Sequence, residues 1–150
     1  MSESSAFDPE EFLSGSIDGT NSTVYVPCPI GEYQAIVEGL KPRQWSKDGS
    51  SGVYLDIQWR IEDPQVLEAL GRDKVIVTQS FPLEFDANSR VSTRAGANVP
   101  LGRVREAVNL NTPGQLFSIT QLIGQFAKVQ VKHDIFRGEP QAKVASVSRL

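Results

Sequence analysis

The chain has 150 residues, 22% charged and 39% apolar, with a net charge of −3; this suffices for one packed core and is too apolar for a disordered chain. A single cysteine, Cys28, and a single histidine, His133, exclude an internal disulfide framework and a Cys/His zinc site built by this chain alone. No apolar run reaches the length of a membrane-spanning helix, and the acidic N-terminus lacks the basic and apolar regions of a signal peptide, so the expected compartment is the cytoplasm.

The small net charge conceals a segregation. Residues 1–40 hold Glu3, Asp8, Glu10, Glu11, Asp18, Glu32 and Glu38 and no Lys or Arg. Residues 41–150 hold all 15 basic residues and the other 11 acidic ones, a net +4. An acidic end beside a basic body can compete for an anion-binding groove or recruit a basic partner. A purely solubilising arm has the same composition.

Residues 1–28 read as an irregular, flexible acidic arm, and 29–150 as one domain. Within the arm, Asp8-Pro9-Glu10-Glu11-Phe12-Leu13 carries an N-cap residue and a proline at the first helical position, the signature of a single helical turn. Pro27, Pro29 and Gly31 mark where the domain begins. The first strand is expected over 32–40, with 41–45 as its extension and 46–52 as a Gly/Ser-rich loop. Side chains two apart on an extended chain share a face, so Lys41, Arg43, Trp45 and Lys47 point the same way.

The second strand, 53–61, alternates strictly. Val53, Leu55, Ile57, Trp59 and Ile61 face one side, and Tyr54, Asp56, Gln58 and Arg60 the other. Trp59 is therefore expected in the core. Asp63-Pro64 ends the strand, and 65–70 is a short helix closed by Gly71. A third strand, 74–85, puts Val75, Val77, Phe81, Leu83 and Phe85 on one parity; Pro82 within it signals an edge or a bulge. The connection 86–100 follows. From there to Glu106 the chain carries Arg90, Arg94, Arg103 and Arg105 and no acid after Asp86, which suits a phosphate-contacting loop or one whose arginines are only solvated.

Residues 101–110 read as an amphipathic helix. Asn111–Gly114 breaks the pattern, and Ser118 with Gln121 caps a second helical piece, 119–126. The last two strands are 127–133 and 141–147, joined by a hairpin over 134–140 that carries Arg137-Gly138. The final strand alternates imperfectly, and a bulge near Ala145 restores its pattern.

Three strands, a helical connection and two strands are the order of the oligonucleotide/oligosaccharide-binding (OB) fold, a five-stranded Greek-key barrel. A β-sandwich would use the same strands. In the OB barrel, ligands cross strands two and three, flanked by the loops joining strands one to two and four to five. Those loops carry Lys41, Arg43, Trp45 and Lys47 on one side and Lys132 and Arg137 on the other. The polar face of the second strand adds Tyr54 and Arg60, and the long connection adds Arg90 and Arg94. Cations for phosphates and flat rings for bases are the combination that single-stranded nucleic-acid sites use. A solvated strand end whose tryptophan packs on a neighbouring loop would look the same in sequence.

The segments Phe7-Asp8-Pro9-Glu10-Glu11-Phe12-Leu13, Pro29-Ile30-Gly31-Glu32-Tyr33, Trp45-Ser46-Lys47-Asp48-Gly49, Gly71-Arg72-Asp73-Lys74 and Leu101-Gly102-Arg103-Val104-Arg105-Glu106-Ala107 resemble small tailed-phage proteins, a group related to phage single-stranded-DNA-binding OB proteins. The likeness spans most of the chain. It implies a phage origin, residence in the host cytoplasm, single-stranded DNA as ligand and replication proteins as partners. Other members of the group are virion proteins, which implies instead a decoration or tail-associated role among capsid or tail subunits, with the barrel as a docking module. Homo-oligomers fit either role. Phage single-strand binders commonly end in an acidic tail that contacts replication partners; here the sequence ends Val147-Ser148-Arg149-Leu150 and the acidic segment lies at the other end.

Catalytic motifs are not evident. The chain has no Walker lysine loop, dinucleotide fingerprint or nucleophile elbow. Asp56, Asp63 and Asp73 lie on a polar strand face and in turns, where solvation explains carboxylates without a metal. The expectation is a binding protein that is not an enzyme and uses no metal or cofactor.

Overall fold

The computed structural model describes residues 6–150. The first five residues of the expected arm, Glu3 among them, lie outside the described residues. Helix α1 (Pro9–Ser14) forms where its cap predicts: the Asp8 carboxylate accepts from the amides of Glu10 (3.0 Å) and Glu11 (3.4 Å). None of its residues is buried, and the Phe7 ring lies against Phe12, ring centres 5.4 Å apart.

Five strands follow: β1 (Gly31–Lys47), β2 (Ser50–Ile61), β3 (Ile76–Leu83), β4 (Phe126–Phe136) and β5 (Glu139–Ser148). They close into a barrel in the order β1-β2-β3-β5-β4, antiparallel except for β3 with β5. This is the OB-like barrel expected from the element order. Helix α2 (Pro64–Leu70) links β2 to β3, capped by Asp63 and ended by Gly71 in the left-handed conformation (φ 63°). Helix α3 (Val99–Ala107) lies between β3 and β4 and packs on β5.

The alternation of β2 supplies the core. Leu55, Ile57, Trp59 and Ile61 point inward against Ala35 and Val37 of β1, Val77 and Phe81 of β3, and Val129 and Val131 of β4. Trp59 is 0% exposed, and its indole N–H donates to the buried Gln79 Oε1 at 3.0 Å. Leu101 and Val104 of α3, with Leu122, belong to the same core.

Several boundaries depart from the sequence expectation. The loop expected over 46–52 is a two-residue turn, Asp48-Gly49, and the ladder runs to the pair Lys47–Ser50. Both turn residues have positive φ (50° and 80°), as a hairpin turn matched to strand twist requires. The second hairpin likewise turns on Arg137-Gly138 alone (φ 53° and 80°). The expected helix 119–126 is a single 3-10 turn, Ile119–Leu122: the backbone turns extended at Ile123 (φ −60°, ψ 130°) and left-handed at Gly124 (φ 85°). Strand β3 is shorter than expected. Pro82 is tolerated there because β3 meets β5 only at Thr78–Lys143, leaving that side of Pro82 unpaired.

Two bulges set which residues face outward. In β5, Gln130 pairs with Ser146 but Val131 with Val144, so Ala145 is the extra residue, as the broken alternation predicts. In β1, Val37 pairs with Trp59 but Gly39 with Gln58, so Glu38 is extra.

The connection after β3 is held by Asn98. Its side chain accepts from the Glu84 amide (2.8 Å) and donates to the carbonyls of Glu84 and Ser92 (2.9 Å each). Asn98→Ala is expected to leave buried backbone groups unpaired and to cost about 1–3 kcal/mol, read as a lower denaturation midpoint with earlier proteolysis within residues 84–98.

Candidate nucleic-acid interface

The β1–β2 register builds the face from the backbone upward. Lys41 pairs with Asp56, Arg43 with Tyr54, Trp45 with Gly52 and Lys47 with Ser50. The four β1 residues share a parity and stand outward, opposite the apolar side chains of β2. The structure therefore brings Lys41, Arg43, Trp45, Lys47 and Tyr54 onto one face of the hairpin. The β2–β3 register continues it: Tyr54 is opposite Pro82, Asp56 opposite Ser80 and Gln58 opposite Thr78.

Trp45 is 39% exposed, and its position depends on Gly52. A Cβ at Gly52 would fall 2.5–2.7 Å from Nε1, Cε2 and Cζ2 of the indole. The missing side chain thus makes the space into which the ring settles, as aromatic residues do over cross-strand glycines. One part of the ring is held by backbone while the rest stays open.

Arg43 is already engaged. Its guanidinium makes a two-pronged bond to Asp56, Nη2 to Oδ1 at 3.0 Å, and lies over the Tyr54 ring, 5.1 Å from its centre. Ser80 Oγ donates to the same carboxylate at 2.6 Å. Arg43 thereby orients Tyr54 more than it offers a free charge. Burial alone would push the Asp56 carboxyl up, but the hydrogen bonds from Arg43 and Ser80, with the charges of Arg43 and Lys41, outweigh it and hold the group below the usual aspartate range. A carboxylate depressed by folding stabilises the fold fully above the unfolded pKa, and that contribution disappears as pH falls through the folded value. The Asp56→Asn variant should therefore melt below wild type at neutral pH, and the gap should close at pH values well under about 4. Thermal melts across pH 3–7 measure this; a constant gap would contradict it.

The other expected residues are dispersed. Arg60 stands on the same outward parity but farther along β2, bonded to Glu38 and Glu62 at 3.1 Å each. The extra residue at the β1 bulge, Glu38, also pairs with Lys74 at 3.0 Å, and this bond, then Arg60, holds its carboxyl below the ordinary range. Arg94 pairs with Glu84 at 3.0 Å in the connection that leaves β3 beside the Val53–Leu83 pair. Arg90 lies exposed in the turn closed on Asp86. Lys132 and Arg137 belong to the β4–β5 hairpin. Among the described residues, Lys41, Lys47, Arg90, Lys132 and Arg137 enter no ion pair.

The two hairpins are joined across the barrel by one row of register neighbours: Gln58, Thr78, Lys143 and Lys132, on four successive strands. Lys143 was missed by sequence reasoning, as was Phe136, 55% exposed beneath the Arg137 guanidinium (5.1 Å). The signals for them were the bulge at Ala145, which fixes the parity of Lys143, and the aromatic residue just before the Arg137-Gly138 turn.

Cys28 and His133 do meet, although nothing in their spacing indicates it. The contact is between His133 Nε2 and the Cys28 carbonyl (2.7 Å), tying the segment before β1 to β4. The thiol itself is buried against the Pro29 carbonyl and pushed up to about 11, first by burial and then by Asp63. Asp63 caps α2 by accepting from the Gln65 amide.

A scan against protein-family models finds no match to this chain, and a search of curated proteins finds none.

Proposed function

We propose that this chain is a sequence-tolerant single-stranded-DNA-binding OB protein, of phage origin, that serves replication or recombination in the host cytoplasm. The observation that carries this reading is the outward face of the β1–β2 hairpin. There an open indole (Trp45), a second ring (Tyr54) and unpaired cations (Lys41, Lys47) share one surface of a closed five-stranded barrel. Rings stack on any base, and cations follow any backbone, so the arrangement favours binding without sequence preference. Replication proteins would be its partners.

A second role, as a virion or assembly component seated among capsid or tail subunits, draws support from the exposed Phe7, Phe12, Leu13 and Ile17 of the arm. Such a segment would order on a neighbouring subunit. The test is fluorescence anisotropy with labelled single-stranded oligonucleotides of unrelated sequence, beside sedimentation of the protein alone. DNA binding predicts affinities that agree within a few-fold across sequences. An obligate oligomer indifferent to every oligonucleotide would overturn it in favour of assembly.

A further inference from the structure

We propose that the trough between β3 and β5 is a second nucleic-acid subsite, in which Tyr25 and Phe136 stack bases and Arg72 contacts the backbone. This inference rests on the DNA-binding reading above and extends it to residues outside the β1–β2 hairpin.

The trough exists because β3 and β5 pair at only one position, Thr78–Lys143. The strands diverge on either side of it and leave a depression of about 1110 Å³, walled by Tyr25–Pro27 on one side and the start of β5 on the other. That exceeds the usual volume of a small-ligand pocket, and its lips, including Tyr25, Glu139 and Gln141, are exposed. The shape suits a length of polymer.

Its chemistry matches a single strand. Two rings from distant chain segments stand at its edges, Tyr25 at 84% and Phe136 at 55% exposure. Among the described residues neither packs on another aromatic ring, and the Arg137 guanidinium lies over Phe136, 5.1 Å from its centre. Arg72 lines the trough and enters no ion pair among the described residues. Lys143 crosses its floor, paired at 3.0 Å with the exposed Asp134, and Glu139 is the acid on the wall. With Lys132 and Arg137 on the adjoining hairpin, cations outnumber acids around it.

The trough is also continuous with the first face. Ser80 lines it and donates to Asp56, whose other partner, Arg43, lies over Tyr54. A strand stacked on Trp45 and Tyr54 therefore passes over Ser80 and Thr78 into the trough without leaving the barrel surface. Sequence reasoning could not place Tyr25 here, because the residue lies in the arm, far from the strands it faces.

The experiment compares oligonucleotides of about 6 and about 15 nucleotides, lengths within the range that one OB fold covers. The Tyr25→Ala/Phe136→Ala double variant, both positions being exposed, should keep the wild-type melting temperature. It should bind the short oligonucleotide as wild type does and lose about tenfold or more on the long one. Arg72→Gln should lower the salt slope on the long oligonucleotide by about 0.7. Trp45→Ala should weaken both lengths. If the double variant matches wild type at both lengths while Trp45→Ala weakens both, the trough is not a nucleic-acid subsite and the first face stands. If wild type binds neither length, the DNA-binding reading fails and the subsite with it.

Discussion

Trp59→Ala is expected to destabilise the protein by about 3–5 kcal/mol, the largest loss that any single side chain here should produce. Trp59 is the largest fully buried side chain among the described residues and belongs to the alternating run 53–61. Its removal opens a cavity between β2, β3 and β1. It also removes the indole N–H that the Gln79 Oε1 accepts at 3.0 Å inside the barrel. A buried acceptor left without a donor adds its own penalty, about 1–3 kcal/mol. Trp59→Phe separates the two contributions, since it restores much of the volume and none of the hydrogen bond. Urea denaturation is the measurement. A loss below about 1 kcal/mol for the alanine variant would contradict the placement of Trp59 at the centre of the core.

Trp45→Ala should have the opposite profile. The ring is partly open and belongs to a hairpin that projects from the core, so stability should change little. Binding to single strands should weaken by about 1–3 kcal/mol for each base the ring engages, and by the same factor for every sequence. Gly52 gives this prediction a second arm. Gly52→Ala adds a methyl group where the indole lies, within 2.7 Å of three of its atoms. The ring must shift, so the variant should reproduce much of the Trp45→Ala loss without removing any side chain proposed to contact DNA. Unchanged affinity in both variants would remove this face from the site.

The barrel was readable from the sequence because its core strands obey a simple period. The alternation from Val53 to Ile61, the Asp63-Pro64 stop and the Gly71 cap are local signals, and each acts within a few residues. The Ala145 bulge was readable for the same reason: an extra residue is visible as a break in parity. The Asp48-Gly49 turn carried its signal too, but the surrounding Ser and Gly residues imitate a longer loop. What sequence could not supply is pairing across distance. The union of Arg43 with Asp56 depends on the β1–β2 register, and that of Arg60 with Glu38 on a bulge with no local mark. Of the ten residues expected to bind nucleic acid, composition alone could not separate the free charges of Lys41 and Lys47 from guanidiniums already neutralised by carboxylates. Tyr25, Phe136 and Lys143 come from the arm and the β4–β5 hairpin and line one trough, beside the single parallel pair of β3 with β5, Thr78–Lys143.

The most direct test of single-strand binding is a tryptophan fluorescence titration with a short single-stranded oligonucleotide at two salt concentrations, with duplex of the same sequence as control. Trp45 is the reporter, since Trp59 is sealed in the core. With about four cations on phosphates the log–log salt slope should be roughly −3, so affinity should fall about fiftyfold between about 50 and 200 mM salt. The account predicts saturable quenching by the single strand with that salt dependence, and weaker quenching by duplex. No quenching and no binding at low salt would contradict it.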